Sequence, residues 1–216
     1  MTLELDISSK SIAGSVHPYE DRILVDERKR LYAIADGVTS SSQGSGGVAA
    51  NLAIELLKEN FSGDIVEAAR KTHERLNEMK LRDRSIGETT LTAASIREEW
   101  AEVVNVGDSP AYLVREDTLQ QLFHEDKDGY GYITQVIGYP EEIEVHLKRV
   151  SLMTGDYLIL SSDGVAHVLD RQTILPLVRK NVSAEELVKE IVERAQTRSA
   201  GYDDDKSVIV LKILEG

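Results

Sequence analysis

The sequence predicts an α+β fold, a single domain over residues 1–216 in which helix pairs cover the faces of a β-sandwich. Three observations predict it. The apolar patterns run in the order strands, two helices, strands, two helices, strand, which groups like elements together and argues against a doubly wound sheet. The connections between neighbouring strand patterns are too short for parallel crossovers, so the strands pair antiparallel. No Pro/Ser/Gly linker, repeat or low-complexity run divides the chain, and its four prolines stand far apart at Pro18, Pro110, Pro140 and Pro176.

The elements follow in order. Ile23–Leu24–Val25 and Leu31–Tyr32–Ala33–Ile34–Ala35 flank the charged turn Asp26 to Arg30 and read as a hairpin, which stops at the turn dipeptide Asp36–Gly37. A Ser/Gly-rich stretch from Thr39 to Gly47 leads into a helix over Val48 to Leu57, where Ala49, Leu52, Ala53, Leu56 and Leu57 keep helical spacing. A second helix runs from Asp64, its cap, to about Lys80. Thr89–Ile96, Ala101–Val106, Ala111–Val114 and Leu119–Phe123 read as successive antiparallel strands, followed by Val145–Val150 and Tyr157–Ser161. Helices return at Arg171–Arg179 and Ala184–Thr197, the latter opened by a Ser183/Glu186 capping box. The strand Ser207–Leu214 closes the pattern.

A formal net charge of -13 repels nucleic-acid backbones and anionic membranes, so neither is an expected partner. The absence of cysteine excludes disulfides, thiolate zinc sites and thiol catalysis. The N-terminus MTLELDISSK lacks an apolar signal core, and no apolar run reaches the roughly 20 residues that cross a bilayer. The expectation is a soluble, cytoplasmic monomer.

Four Asp-bearing turns stand at the ends of strand-like runs: Ala35–Asp36–Gly37–Val38, Val106–Gly107–Asp108–Ser109, Ser161–Ser162–Asp163–Gly164–Val165 and Asp203–Asp204–Asp205–Lys206–Ser207. The pair Glu20–Asp21 opens the first hairpin. Singly, each reads as turn chemistry or a solvated loop. Together, carboxylates at strand ends can converge, and a cluster of them stays ionised only beside cations. Hard oxygen ligands favour Mg²⁺ or Mn²⁺ over zinc. Two such ions about 3.5–4 Å apart can aim a shared hydroxide at phosphorus.

The ordered set resembles the signature of the type 2C (PPM) metal-dependent serine/threonine phosphatases. It comprises Glu20–Asp21–Arg22, Ala35–Asp36–Gly37, Gly87–Glu88–Thr89–Thr90, Val106 to Leu113, Gly155–Asp156, Ser161–Ser162–Asp163–Gly164 and Asp204 to Val210, and so spans nearly the whole chain. The resemblance implies a four-layer αββα sandwich and hydrolysis of phosphoserine or phosphothreonine in protein substrates by water activated on two Mn²⁺ or Mg²⁺ ions. It implies that Asp36 bridges both metals and that Asp163 and Asp204 complete the ligands of the first metal, these three being the catalytic set. Glu20 and the Gly37 carbonyl serve the second ion. Asp108 with Asp163 matches the place of a weaker third metal. Asp21 and Asp205 support the ligands, Asp205 standing where the family usually has Asn.

The pattern departs from the family in places. No Arg precedes Glu20, and His17 is the nearest candidate to contact a substrate phosphate. Pro110 replaces an Arg after Gly107–Asp108–Ser109, and the flap-like segment between Leu122 and Gly138 is short, with a charged, Gly-bearing stretch from His124 to Tyr132. His167, which closely follows Ser162–Asp163–Gly164–Val165, reads as a surface residue at a helix start, with a proton donor near the site as the alternative. The missing Arg leaves an alternative: a catalytically weak or silent module of the same fold that senses phosphopeptides. A structural Ca²⁺ domain would need a contiguous Asp-x-Asp-x-Asp-Gly loop, which is absent.

Overall fold

A computed structural model describes residues 3–40, 43–198 and 203–215, which form ten strands and five helices. In chain order these are β1 (Glu4–Ile12), β2 (Arg22–Asp26), β3 (Leu31–Ala35), α1 (Gly46–Asn60), α2 (Ile65–Lys80), β4 (Leu91–Ile96), β5 (Trp100–Val106), β6 (Ala111–Arg115), β7 (Thr118–Gln121) and β8 (His146–Ser151). They continue with β9 (Tyr157–Ser161), α3 (Asp163–Ala166), α4 (Arg171–Arg179), α5 (Ala184–Arg198) and β10 (Lys206–Leu214). The strands make two five-stranded antiparallel sheets, ordered β1-β10-β9-β6-β7 and β2-β3-β4-β5-β8.

Strand alternation sets the packing. Every residue of β3 is buried, yet successive side chains enter different clusters. Leu31 and Ala33 pack with α1 and α2 residues such as Ala53, Leu57, Ala68 and Leu76. Tyr32 and Ile34 meet Leu158, Leu160, Ile209 and Leu211 of the other sheet. On that sheet Val208 and Val210 turn the other way, toward Leu187, Ile191 and Val192 of α5. Strands covered on both faces therefore read as unbroken apolar runs. Each fully buried Leu or Ile contributes about 1.5–3 kcal/mol. Exposed ion pairs such as Lys71–Glu67 add at most ~1 kcal/mol, so the three clusters dominate stability.

Side-chain caps set the helix starts. Asp64 Oδ1 accepts from Glu67 N at 3.0 Å, and Ser183 Oγ accepts from Glu186 N at 3.1 Å while Glu186 Oε2 accepts from Ser183 N at 2.8 Å. Helix α1 begins two residues before the predicted Val48, because Ser45 caps it at Val48 N.

The structure corrects three expectations. Strand β1 was not anticipated: its polar, partly buried sequence carries no continuous apolar run, and its pairing with β10 from Glu4↔Leu214 to Ile12↔Lys206 defines it. β5 and β6 do not pair, although they are consecutive; the chain crosses between sheets over residues 107–110, and β6 joins β7 and β9 instead. The one-turn helix α3 begins at Asp163, inside what reads as a turn. Among the described residues no helix is long and apolar enough to cross a membrane.

Candidate metal centre

Strand register gathers the acidic turns. In one sheet Arg22 pairs with Ala35 and Leu91 with Val106, so Asp21, Asp36 and Asp108 all leave it at the same end. In the other, Val208 pairs with Ser161, which puts Asp163 beside Asp204 and Asp205. Ser162 and Ser207 lock that junction: Ser162 N donates to Ser207 O and Ser207 N to Ser162 Oγ, each at 3.0 Å.

Backbone pairing holds Asp36. Its carbonyl accepts from Thr90 N at 2.8 Å and Thr89 Oγ1 at 2.9 Å, and its N–H donates to Thr90 Oγ1 at 3.1 Å. The next residue needs to be glycine, since a Cβ on Gly37 would lie 2.4 Å from the Gly46 carbonyl carbon. This contact seats the start of α1 against the turn, where Gly47 N donates to Glu20 Oε1 at 3.2 Å. Thr39 Oγ1 donates to Glu20 Oε2 at 2.9 Å, so Glu20 is held at a helix N-terminus.

The carboxylates act on one another. Asp36 is pushed well above the ordinary carboxylate range by burial, then by the charges of Asp21, Asp163, Asp108 and Asp204. Burial lifts Asp21 to about 6, with Asp205 adding to the rise and Ser207, Ser162 and Asp36 opposing it. Asp163 rises to about 7 through lost hydration and then through Asp108, Asp204 and Asp21. Asp163 still reaches solvent, so its like-charged neighbours are the more durable cause. Neither carboxyl oxygen of the buried Asp21 has a hydrogen-bond partner of good geometry.

Among the described residues no three His, Asp or Glu side chains close on a point as a ready-made ligand cluster. They form a mutually repelling set of hard oxygen donors with uncoordinated lone pairs. Its excess negative charge and its lack of sulfur donors fit divalent hard cations. Asp36, Asp163, Asp204, Glu20, the Gly37 carbonyl and Asp108 are the groups that could hold them.

Two basic side chains stand on this set. His17 Nε2 lies 2.6 Å from Asp204 Oδ1 and Nδ1 lies 2.8 Å from the Pro18 carbonyl. Both nitrogens face acceptors, an arrangement that suits the imidazolium. Burial opposes that charge, but the Pro18 carbonyl and Asp204 more than offset it and raise the His17 pKa. His17, expected as a phosphate contact, is thus engaged within the chain. At the other side Lys127 Nζ lies 2.9 Å from Asp108 Oδ2, and Asp108 is only 4% exposed. Burial opposes the Lys127 charge, but Asp108 and Glu125 outweigh it and hold the ammonium above its ordinary pKa.

Asp205 clamps the first hairpin, accepting from Gly14 N at 2.7 Å, Glu20 N at 2.6 Å and Asp21 N at 3.2 Å. Gly164 packs against the Asp205 carbonyl, where a Cβ would come within 1.9 Å. Arg22 does not face the carboxylates: its guanidinium donates to the Asp21 carbonyl at 2.7 Å and covers the Tyr19 ring at 5.0 Å. His167 ends α3, exposed, with its pKa lowered by burial, Lys206 and Arg198.

Sequence reasoning missed Lys127 and Asp126. Their only signal was their place in the charged segment 124–132. There Lys127 lines a cleft of about 600 Å³ together with Asp108, Asp163, Glu88, Tyr132 and Tyr139.

Comparison with known proteins converges on one family. The family model described as "Protein phosphatase 2C" matches residues 11–201. The "Serine/threonine phosphatase stp" of Listeria innocua is 23% identical, with 86% of this chain and 85% of that protein covered. That of Listeria welshimeri is 25% identical, covering 91% and 90%. Among solved structures, the catalytic domain of the serine threonine protein phosphatase PstP, in complex with two manganese ions, superposes with a TM-score of 0.84 at 24% identity, covering 99% of this chain and 100% of that one. Stp1 from Staphylococcus aureus gives 0.84 at 20% identity, covering 100% and 98%.

Proposed function

The chain belongs to the protein phosphatase 2C family of metal-dependent serine/threonine phosphatases, and on that premise we propose that it hydrolyses phosphoserine and phosphothreonine monoesters in proteins at the Asp36–Asp163–Asp204 centre. The observation that carries this reading is the gathering of Asp36, Asp21, Asp163, Asp108 and Asp204, five carboxylates from distant segments at one end of the two sheets, where the charges of the others raise the proton affinity of Asp36 and of Asp163. In this reading the three apolar clusters are the interfaces of a four-layer αββα sandwich forming one catalytic domain.

Asp36 would be shared between two Mn²⁺ or Mg²⁺ ions, Asp163 and Asp204 would complete one site, and Glu20 with the Gly37 carbonyl would serve the other. When bound, the ions supply Lewis-acid chemistry, acidifying a water for direct attack on phosphorus and offsetting charge on the transferring group. The chain's own residues set the stage. Asp205 fixes the backbone of Glu20 and Asp21. His17 orients Asp204 rather than gripping phosphate. Asp21, whose charge acts on Asp36, would support the ligand set from behind. Tyr132 and Tyr139, 73% and 62% exposed, offer apolar contact to residues flanking the phosphoester.

Hydrolysis of para-nitrophenyl phosphate and of a phosphothreonine peptide, with and without Mn²⁺, tests this. Asp36→Asn is expected to lose more activity than the roughly 100-fold typical of residues that merely support a ligand. Turnover by that variant at the wild-type rate would end the reading. The silent phosphopeptide-sensing module is favoured by one observation, the engagement of His17 in a chain with no Arg before Glu20. Phosphopeptide binding without Mn²⁺ binding, measured by calorimetry, would select it.

A further inference from the structure

The carboxylate set is guarded differently at its Asp108 side. Asp108 is nearly sealed from solvent, and a sealed carboxylate remains charged only with a cation against it. The chain supplies one: Lys127 Nζ bonds Asp108 Oδ2 at 2.9 Å and Glu125 Oε2 at 3.0 Å.

The neighbouring residue positions this lysine. Asp126 Oδ2 accepts from Gly107 N and Gln135 Nε2, both at 2.8 Å, and Asp126 Oδ1 lies 2.8 Å from His146 Nε2. Asp126 N donates to the Gly107 carbonyl at 3.1 Å. The segment is therefore fastened to the turn that presents Asp108. Gly107 makes that turn at φ +102, a conformation that other residues rarely adopt.

We propose that Lys127 is a built-in counter-ion that occupies the cation position at Asp108 and excludes a divalent ion from that side of the cleft, with Asp126 as the residue that positions it. This rests on the metal-centre reading above but adds to it: the chain balances the charge of Asp108 with an ion pair from its own tethered side chain in place of an exchangeable ion. An ammonium cannot be removed by chelator, so this side of the cleft keeps its geometry when Mn²⁺ is withdrawn.

Mn²⁺ titration of the metal-free protein by calorimetry decides the matter. Lys127→Met is expected to bind one more Mn²⁺ per chain than wild type, and Lys127→Met with Asp108→Asn to lose that extra ion. Lys127→Arg should keep the wild-type number. In the metal-free state Lys127→Met should lower the melting temperature, and adding Asp108→Asn should recover it. Equal Mn²⁺ stoichiometry in wild type and Lys127→Met overturns the proposal and leaves the phosphatase reading intact. Absence of Mn²⁺ binding in every variant overturns both.

Discussion

The two flanks of the carboxylate set use the same parts to different ends. Each has a basic side chain on an acidic one, His17 on Asp204 and Lys127 on Asp108, and each has an aspartate that fastens backbone, Asp205 and Asp126. Asp205 is 2% exposed and ties together segments 184 to 191 residues apart in sequence. The Asp126 side chain is 12% exposed, and the groups it ties lie 9 to 20 residues away. One flank therefore belongs to the global fold and cannot loosen without it, whereas the other is a local attachment that shapes the cleft.

Breaking each fastening measures that contrast. Asp205→Ala leaves three backbone N–H groups without their charged acceptor and is expected to cost about 3 kcal/mol or more in urea denaturation. Asp205→Asn keeps one acceptor oxygen and should cost less than half of that. Asp126→Ala, partly rescued by water, is expected to cost about 1 kcal/mol. Equal losses from Asp205→Ala and Asp126→Ala would erase the distinction.

The pH dependence of the chelated protein sharpens it further. Asp21 and Asp163 hold their protons in the folded chain up to about 6 and about 7, whereas the unfolded chain releases them near 3.8. The folded state then binds more protons, so the melting temperature should fall as pH rises from about 4 to 7. Asp163→Asn should flatten that fall, and saturating Mn²⁺ should reverse it. His17 gives the smallest effect. Its folded pKa is raised above 6.5, so its contribution is full below that value and disappears as pH climbs through the folded value. His17→Gln should remove that alkaline portion.

Much of this site could be read before folding. Asp36, Asp108, Asp163 and Asp204 each follow or precede an apolar run, and a carboxylate at a strand end is a local feature. The caps Asp64 and Ser183 were readable for the same reason, since donor and acceptor lie three residues apart. β1 escaped because its partner β10 lies at the opposite end of the chain. The separation of β5 from β6 escaped because four residues suffice both for a hairpin and for a step between sheets. Lys127 escaped because a lysine in a charged loop has no periodicity to betray its contact with Asp108.

Local pattern specified most of the elements, β1 and α3 excepted, and the donor chemistry: side-chain alternation, helical spacing and an all-oxygen set of acids are properties of neighbours along the chain. Which sheet each strand joins, the hold of Asp205 on the first hairpin and the ammonium at Asp108 emerge only on folding. Those contacts are set by strand register and loop closure, and short-range pattern carries no information about either.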